Sequence, residues 1–141
     1  MAHGSYAHEL DFQVRDYECD LQGVVNNANY QHYIEHARHN WLEVMGIDFA
    51  ALHDQGVDLV VARLEMDFKY PLRSRDTFVV RSNFSREGRL RIVFSQDIYR
   101  TPDDTLVVRA RVVGAAVKGG RPVPPEQVSD ALAAALAPDP S

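Results

Sequence analysis

The sequence predicts an α+β domain in which one long helix packs on one face of an antiparallel sheet. Three observations carry this. The apolar period changes from two to about 3.6 at Asn27. From Val61 the period returns to two, through the strand-like runs "VARLEMDFKY", "TFVVRSNF", "RLRIVFSQDIY" and "TLVVRARVVGAAV". Short turn segments ("PLRSRD", "REGR", "TPDD") separate these runs, and connections that short force antiparallel neighbours.

Taken in order, residues 9–18 read as a first strand, with Leu10, Phe12 and Val14 alternating against Glu9, Asp11, Gln13 and Arg15. Tyr30, Tyr33 or Ile34, Ala37, Trp41 and Val44 or Met45 then fall at helical spacing, and Gly46 stands where a glycine ends a helix. A short second helix spans roughly 48–54 and stops near Gly56. In the next run Val61, Arg63, Glu65 and Asp67 alternate with Ala62, Leu64, Met66 and Phe68. Phe78, Val80 and Phe84 share a face, as do Leu90, Ile92, Phe94 and Ile98 in the strand that follows. "KGGRP" closes the strand set, "EQVSDALAAAL" reads as a C-terminal helix, and "APDPS" as a frayed tail. Docking the helix stripe on the apolar sheet face supplies the burial such a domain needs, at about 25 cal/mol per Å². The other sheet face is mixed (Arg63, Glu65, Asp67, Arg81, Arg109, Arg111), so it is either wet or a polar oligomer contact.

A chain of 141 residues predicts one domain over 1–141, its core about 9–118 and its C-terminal helix and tail 124–141. The 45% apolar and 25% charged content is ordinary for a soluble globular protein. A net charge of −5 argues against nucleic acid as the partner. Cys19 is the single cysteine, which excludes a disulfide framework and a cysteine-rich zinc site. "MAHGSYAHEL" has no apolar signal core and no apolar run nears the ~18 residues of a membrane span, so the expectation is a cytoplasmic soluble chain.

The stretch "CDLQGVVNNANY" joins the first strand to the long helix. Asp20 there has two readings. It starts a turn, as Asp does with Gly three residues on. It also stands before a helix N-terminus, where free N–H groups favour negative charge, so it can act as general base or nucleophile on an acyl carbon. N–H groups near Asn27 would then hold the oxyanion, and Gly23 would let a ligand approach the backbone. Asn26 or Asn27 also suits an N-cap. "HYIEH" matches a zinc-hydrolase pattern, but His32, His36 and His39 lie opposite the apolar stripe and no third ligand is evident. No histidine is spaced to serve Cys19 as a nucleophile, and a buried thiol is the plainer reading. Arg86, Arg89 and Arg91 around "REGR" form a candidate phosphate site on an acidic chain, with Lys118 and Arg121 a weaker one.

"YECDLQGVVNNANYQHYIEHAR" resembles the signature of hotdog-fold acyl-CoA thioesterases of the 4-hydroxybenzoyl-CoA thioesterase type. Asp20, Gly23, Val24, Val25, Asn27, Tyr30, Glu35, Ala37 and Arg38 fall on that pattern, and "LVVARLEMDFKYPLRSRD" is similar to the family's second strand and following turn. The likeness runs from about Phe12 to Val117. It implies a hotdog fold, a long central helix wrapped by a five- to six-stranded antiparallel sheet. It also implies a homodimer, often paired into a homotetramer, that hydrolyses an acyl-CoA to free acid and coenzyme A. By this resemblance Asp20 is the catalytic carboxylate and the Asn27 N–H the carbonyl-polarising donor. Gly23, Val24, Val25, Tyr30 and Val61 would line the substrate, and the arginines at 86–91 correspond to a coenzyme A phosphate segment. No metal or separate cofactor is expected, since coenzyme A is part of the substrate. Relatives often carry His or an aromatic where Asn26 and Asn27 stand. A non-catalytic module binding acyl-CoA or acyl-carrier protein on the same fold is the alternative. A hotdog hydratase would want an Asp–His pair at the site.

Overall fold

A computed structural model describes residues 6–136. β1 (His8–Gln13) leads through a 3-10 turn (Asp16–Glu18) to α1 (Asn27–Val44) and α2 (Phe49–Asp54). β2 (Val57–Phe68), β3 (Thr77–Glu87), β4 (Arg91–Thr101), β5 (Thr105–Lys118) and β6 (Arg121–Val123) follow. A second 3-10 turn (Pro125–Gln127) and α3 (Asp130–Leu136) complete the described residues. The antiparallel sheet runs β1-β3-β4-β5-β2, with β6 on β5 where β4 has ended, so β1 and β2 are its edges.

The long helix forms for the reasons its sequence gives. The Asn26 side chain accepts the Ala28 N–H at 2.9 Å, and Gly46 takes up φ +89° just past the last turn. Tyr30, Tyr33, Ile34, Ala37, Trp41 and Leu42 are buried on one side of α1. They join Phe78, Val80, Ile98, Val108 and Val112 of the sheet in one core. The helix lies against the curved sheet, the arrangement the resemblance implies.

Several boundaries move. The first strand ends at Gln13 rather than running to 18, because the Arg15 N–H donates to Glu18 Oε1 at 2.7 Å and closes a turn. Val44 is exposed, and Leu42 and Arg38 take places in the buried stripe. β2 starts at Val57, and a bulge at Ala62 sets Val61 opposite Gly114 and Arg63 opposite Val113. That extra residue breaks the alternation, turning Val61 to the helix side while Arg63, Glu65 and Asp67 stay on the other. The C-terminal helix is broken in two: Ser129 Oγ accepts the Leu132 N–H at 3.1 Å and starts α3 afresh. The tail at 137–141 lies outside the described residues.

The mixed sheet face carries a row of alternating charge across all five strands of the main path. Glu9 stands opposite Arg81, Arg81 opposite Asp97, Asp97 opposite Arg109, and Arg109 opposite Asp67. Arg81 Nε is 2.7 Å from Glu9 and Arg109 Nε is 3.5 Å from Asp97.

Candidate active site

The loop before α1 is a small closed hairpin. Cys19 and Val25 bridge across it, the Asp20 N–H donates to Val24 O at 2.9 Å, and the Gly23 N–H donates to Asp20 O at 3.0 Å. Gly23 has φ +79°, a left-handed conformation that a Cβ would strain. Asp20 Oδ1 accepts the Gln22 N–H at 2.8 Å and lies 3.4 Å from the Val24 N. Asp20 is therefore the turn residue of the first reading, yet its side chain is exposed and Oδ2 has no partner among the described residues.

Glu18 fastens this hairpin to the helix. Its carbonyl accepts the Asn26 N–H at 3.1 Å and Asn29 Nδ2 at 2.9 Å. On the other side the Val25 N–H donates to Leu72 O at 2.8 Å, and the Leu72 N–H donates to Tyr30 Oη at 2.9 Å. The sequence offered no signal for Glu18 or Leu72, because both hold the hairpin through backbone groups, the Glu18 side chain closing only the turn before it.

At the first turn of α1 the cap oxygen of Asn26 takes the Ala28 N–H, and the Asn26 carbonyl takes the Asn29 N–H at 2.9 Å. The Asn27 N–H has no acceptor among the described residues. An open N–H at the positive end of an eighteen-residue helix is a ready donor to a developing oxyanion.

The other candidates divide. Val25 is in the core, and Tyr30 is buried with its hydroxyl committed to Leu72. Val24 is half-buried and bridges to Arg73. Burial first, then the carboxylates of Asp16, Asp20 and Glu18, push the Cys19 thiol up, away from thiolate. His32, His36 and His39 are exposed, and among the described residues no group of three His, Cys, Asp or Glu is placed to hold a metal. Arg86, Arg89 and Arg91 sit at the β3–β4 turn, whereas the Asp20 loop lies near the other end of β3, where the Val14 N–H donates to Asp76 O. At ~3.3 Å per residue β3 spans roughly 35 Å, so one chain does not bring the arginines to Asp20. Arg86 is also paired with Glu126.

A cavity of about 200 Å³ lies between α1, β2 and the β4–β5 pair, with Arg38, Val61, Phe94, Gly114 and Leu132 in its wall. Arg38 is 8% exposed. Its Nη1 donates to Gln96 Oε1 at 3.0 Å, and its guanidinium stands 5.9 Å from the Phe94 ring centre. Gln96 Nε2 donates to Ile34 O and to Ser82 Oγ, both at 3.1 Å. Burial lowers the Arg38 pKa, against the opposing pull of Glu35.

Residues 14–136 match the family model described as the Thioesterase-like superfamily. The chain belongs to that superfamily. Acyl-acyl carrier protein thioesterase ATL3, chloroplastic, of Arabidopsis thaliana is 41% identical over 104 residues, covering 74% of this chain and 55% of the plant protein. The chain thus spans about half the length of the plant relatives it matches. Acyl-CoA thioesterase YbgC of Haemophilus influenzae is 29% identical over 129 residues, covering 87% of this chain and 93% of that one. Among solved structures, a 1,4-dihydroxy-2-naphthoyl-CoA thioesterase from Synechocystis superposes with a TM-score of 0.84 at 17% identity, over 92% of this chain and 94% of that one. This thioesterase-like chain has the hotdog fold.

Proposed function

We propose that this chain hydrolyses an acyl-CoA or acyl-carrier-protein thioester to a free acid and the carrier thiol. The observation that supports it most is the presence on one loop–helix junction of an exposed carboxylate, Asp20, and the Asn27 N–H, which has no acceptor among the described residues. As base, Asp20 takes a proton from water while the oxygen attacks the thioester carbon. The carbonyl oxygen gains charge against the Asn27 N–H and the helix dipole. Collapse expels the thiolate, which recovers the proton from Asp20. As nucleophile, Asp20 would form a mixed anhydride that water then opens. Neither route uses more than a carboxylate and a backbone donor, and coenzyme A enters as part of the substrate.

A dimer through β2 is part of the same reading. β2 is an edge strand of twelve residues with no partner on its outer side among the described residues, and Val60, Val61 and Phe68 on it are exposed. Such an edge pairs readily with a second copy. Antiparallel pairing there would carry one chain's Arg89 and Arg91 toward the other chain's Asp20 end, which suits a coenzyme A phosphate site.

Thiol release from a panel of short, long and aromatic acyl-CoAs, and from acyl-carrier proteins, tests the activity. Turnover on any of them supports it. Tight binding of the panel without turnover would favour a non-catalytic binding module.

A further inference from the structure

An α-helix begins with four N–H groups that find no partner inside it. At α1 these belong to Asn26, Asn27, Ala28 and Asn29. The Asn26 N–H donates to Glu18 O at 3.1 Å, the Ala28 N–H to Asn26 Oδ1 and the Asn29 N–H to Asn26 O, the last two at 2.9 Å. Among the described residues, Asn27 is the one of the four whose N–H has no acceptor.

Asn29 makes a further bond at the same junction. Its side-chain Nδ2 donates to Glu18 O at 2.9 Å. That oxygen thus takes two donors from α1, one for each lone pair. The carboxamide must face it nitrogen-first, since its own oxygen would meet another oxygen. For the helix alone Asn is a poor choice, because its short amide competes for backbone groups, and Ala or Glu would form the first turn more readily. What Asn29 adds is a side-chain donor that reaches across to a different segment of the chain.

That segment carries Asp20. Glu18 stands two residues before it, at the base of the hairpin closed by the Cys19–Val25 bridge and the bond from the Asp20 N–H to Val24 O. The proposed hydrolysis needs the hairpin's carboxylate and the helix's N–H to address the two ends of one C=O bond. Their relative placement is set where the two segments touch, and Asn29 sits at that contact.

We infer that Asn29 is a positioning residue for thioester hydrolysis: through the Glu18 carbonyl its side chain fixes the Asp20 hairpin in line with the start of α1. The inference rests on the thioesterase reading above. Asn29 acts through Glu18 and not on the reacting atoms.

The test uses Asn29→Ala and Asn29→Asp, the second keeping the shape but not the donor. Both should lower kcat by about 10- to 100-fold with KM changed less than about threefold, since a misplacement near 1 Å costs about 10²-fold. Asp in the first turn suits the helix dipole, so Asn29→Asp should keep the wild-type urea midpoint while losing turnover. In an Asp20→Asn background, where no base is left to place, Asn29→Ala should cost less than about threefold. Wild-type kcat in either single variant, or an equal loss in both backgrounds, would overturn the inference and leave the thioesterase reading standing. Wild type inactive on every thioester would instead strike at that reading. Amide hydrogen exchange decides on the clip without turnover. In Asn29→Ala the Asn26 N–H, which shares the Glu18 oxygen, should exchange about tenfold faster while that of Val80 in the core stays unchanged. An Asn26 rate equal to wild type refutes it.

Discussion

Asp20 holds a turn and presents a carboxylate at once, and the two roles can be separated by one substitution. Asn at that position keeps an Oδ1 to accept the Gln22 N–H, so the hairpin should survive. The negative charge and the proton acceptor are lost. Asp20→Asn should cut kcat by about 10²–10⁴ with a modest change in KM, measured by thiol release. Wild-type turnover would remove Asp20 from the chemistry. Gly23→Ala, three residues on, should cost about 1 kcal/mol in urea denaturation, because φ +79° is strained for any residue with a Cβ. Cys19 is expected to alkylate slowly at neutral pH, since its raised pKa leaves little thiolate, and Cys19→Ser should keep full turnover. A thiol as reactive as a free cysteine would contradict the first expectation. At this scale the sequence was legible for local structure: the Asp20 turn, the left-handed Gly23 and the Asn26 cap. It was silent on Glu18, whose carbonyl does the positioning, and on Arg38, whose charge gave no hint of burial.

Within elements, α1 could be read almost to its ends because its apolar stripe, cap and closing glycine all agree. β2 misled at Val61, since a bulge shifts the pleat without leaving a compositional trace. The split between the second 3-10 turn and α3 was hidden for a similar reason, a single Ser129 hydroxyl restarting the helix. Tyr30 shows how an element end supports the site. Its hydroxyl accepts the N–H of Leu72, which is fully buried. Tyr30→Phe would orphan that donor and should cost about 1–3 kcal/mol of unfolding free energy. The Leu72 carbonyl holds Val25 on the same strip of backbone, so turnover should fall in parallel. An unchanged denaturation midpoint would mean the bond adds nothing.

For the molecule as a whole, the antiparallel sheet with one helix docked on it follows from period and turn spacing, whereas sheet order does not. Nothing local in β2 says that it pairs with β5 across two intervening strands. The assembly reading is tested on that edge. Sedimentation velocity should find wild type as a dimer or larger, and Val60→Lys should shift it toward monomer, since an edge lysine disfavours strand pairing. A monomeric wild type would leave Arg89 and Arg91 at the far end of β3 from Asp20 and remove the proposed shared site.

The charged row on the outer sheet face has a consequence of a different kind. The apolar pattern penalises a one-residue slip between strands, because that turns the core face outward. It is blind to a slip of two, which keeps every apolar residue inside. In the native register Arg81 faces Asp97. A two-residue slip would set it against Ser95 or Tyr99, and the same error at the next strand would part Asp97 from Arg109. The row acts as a checksum on alignment, written in charge on the face where hydrophobicity carries no information.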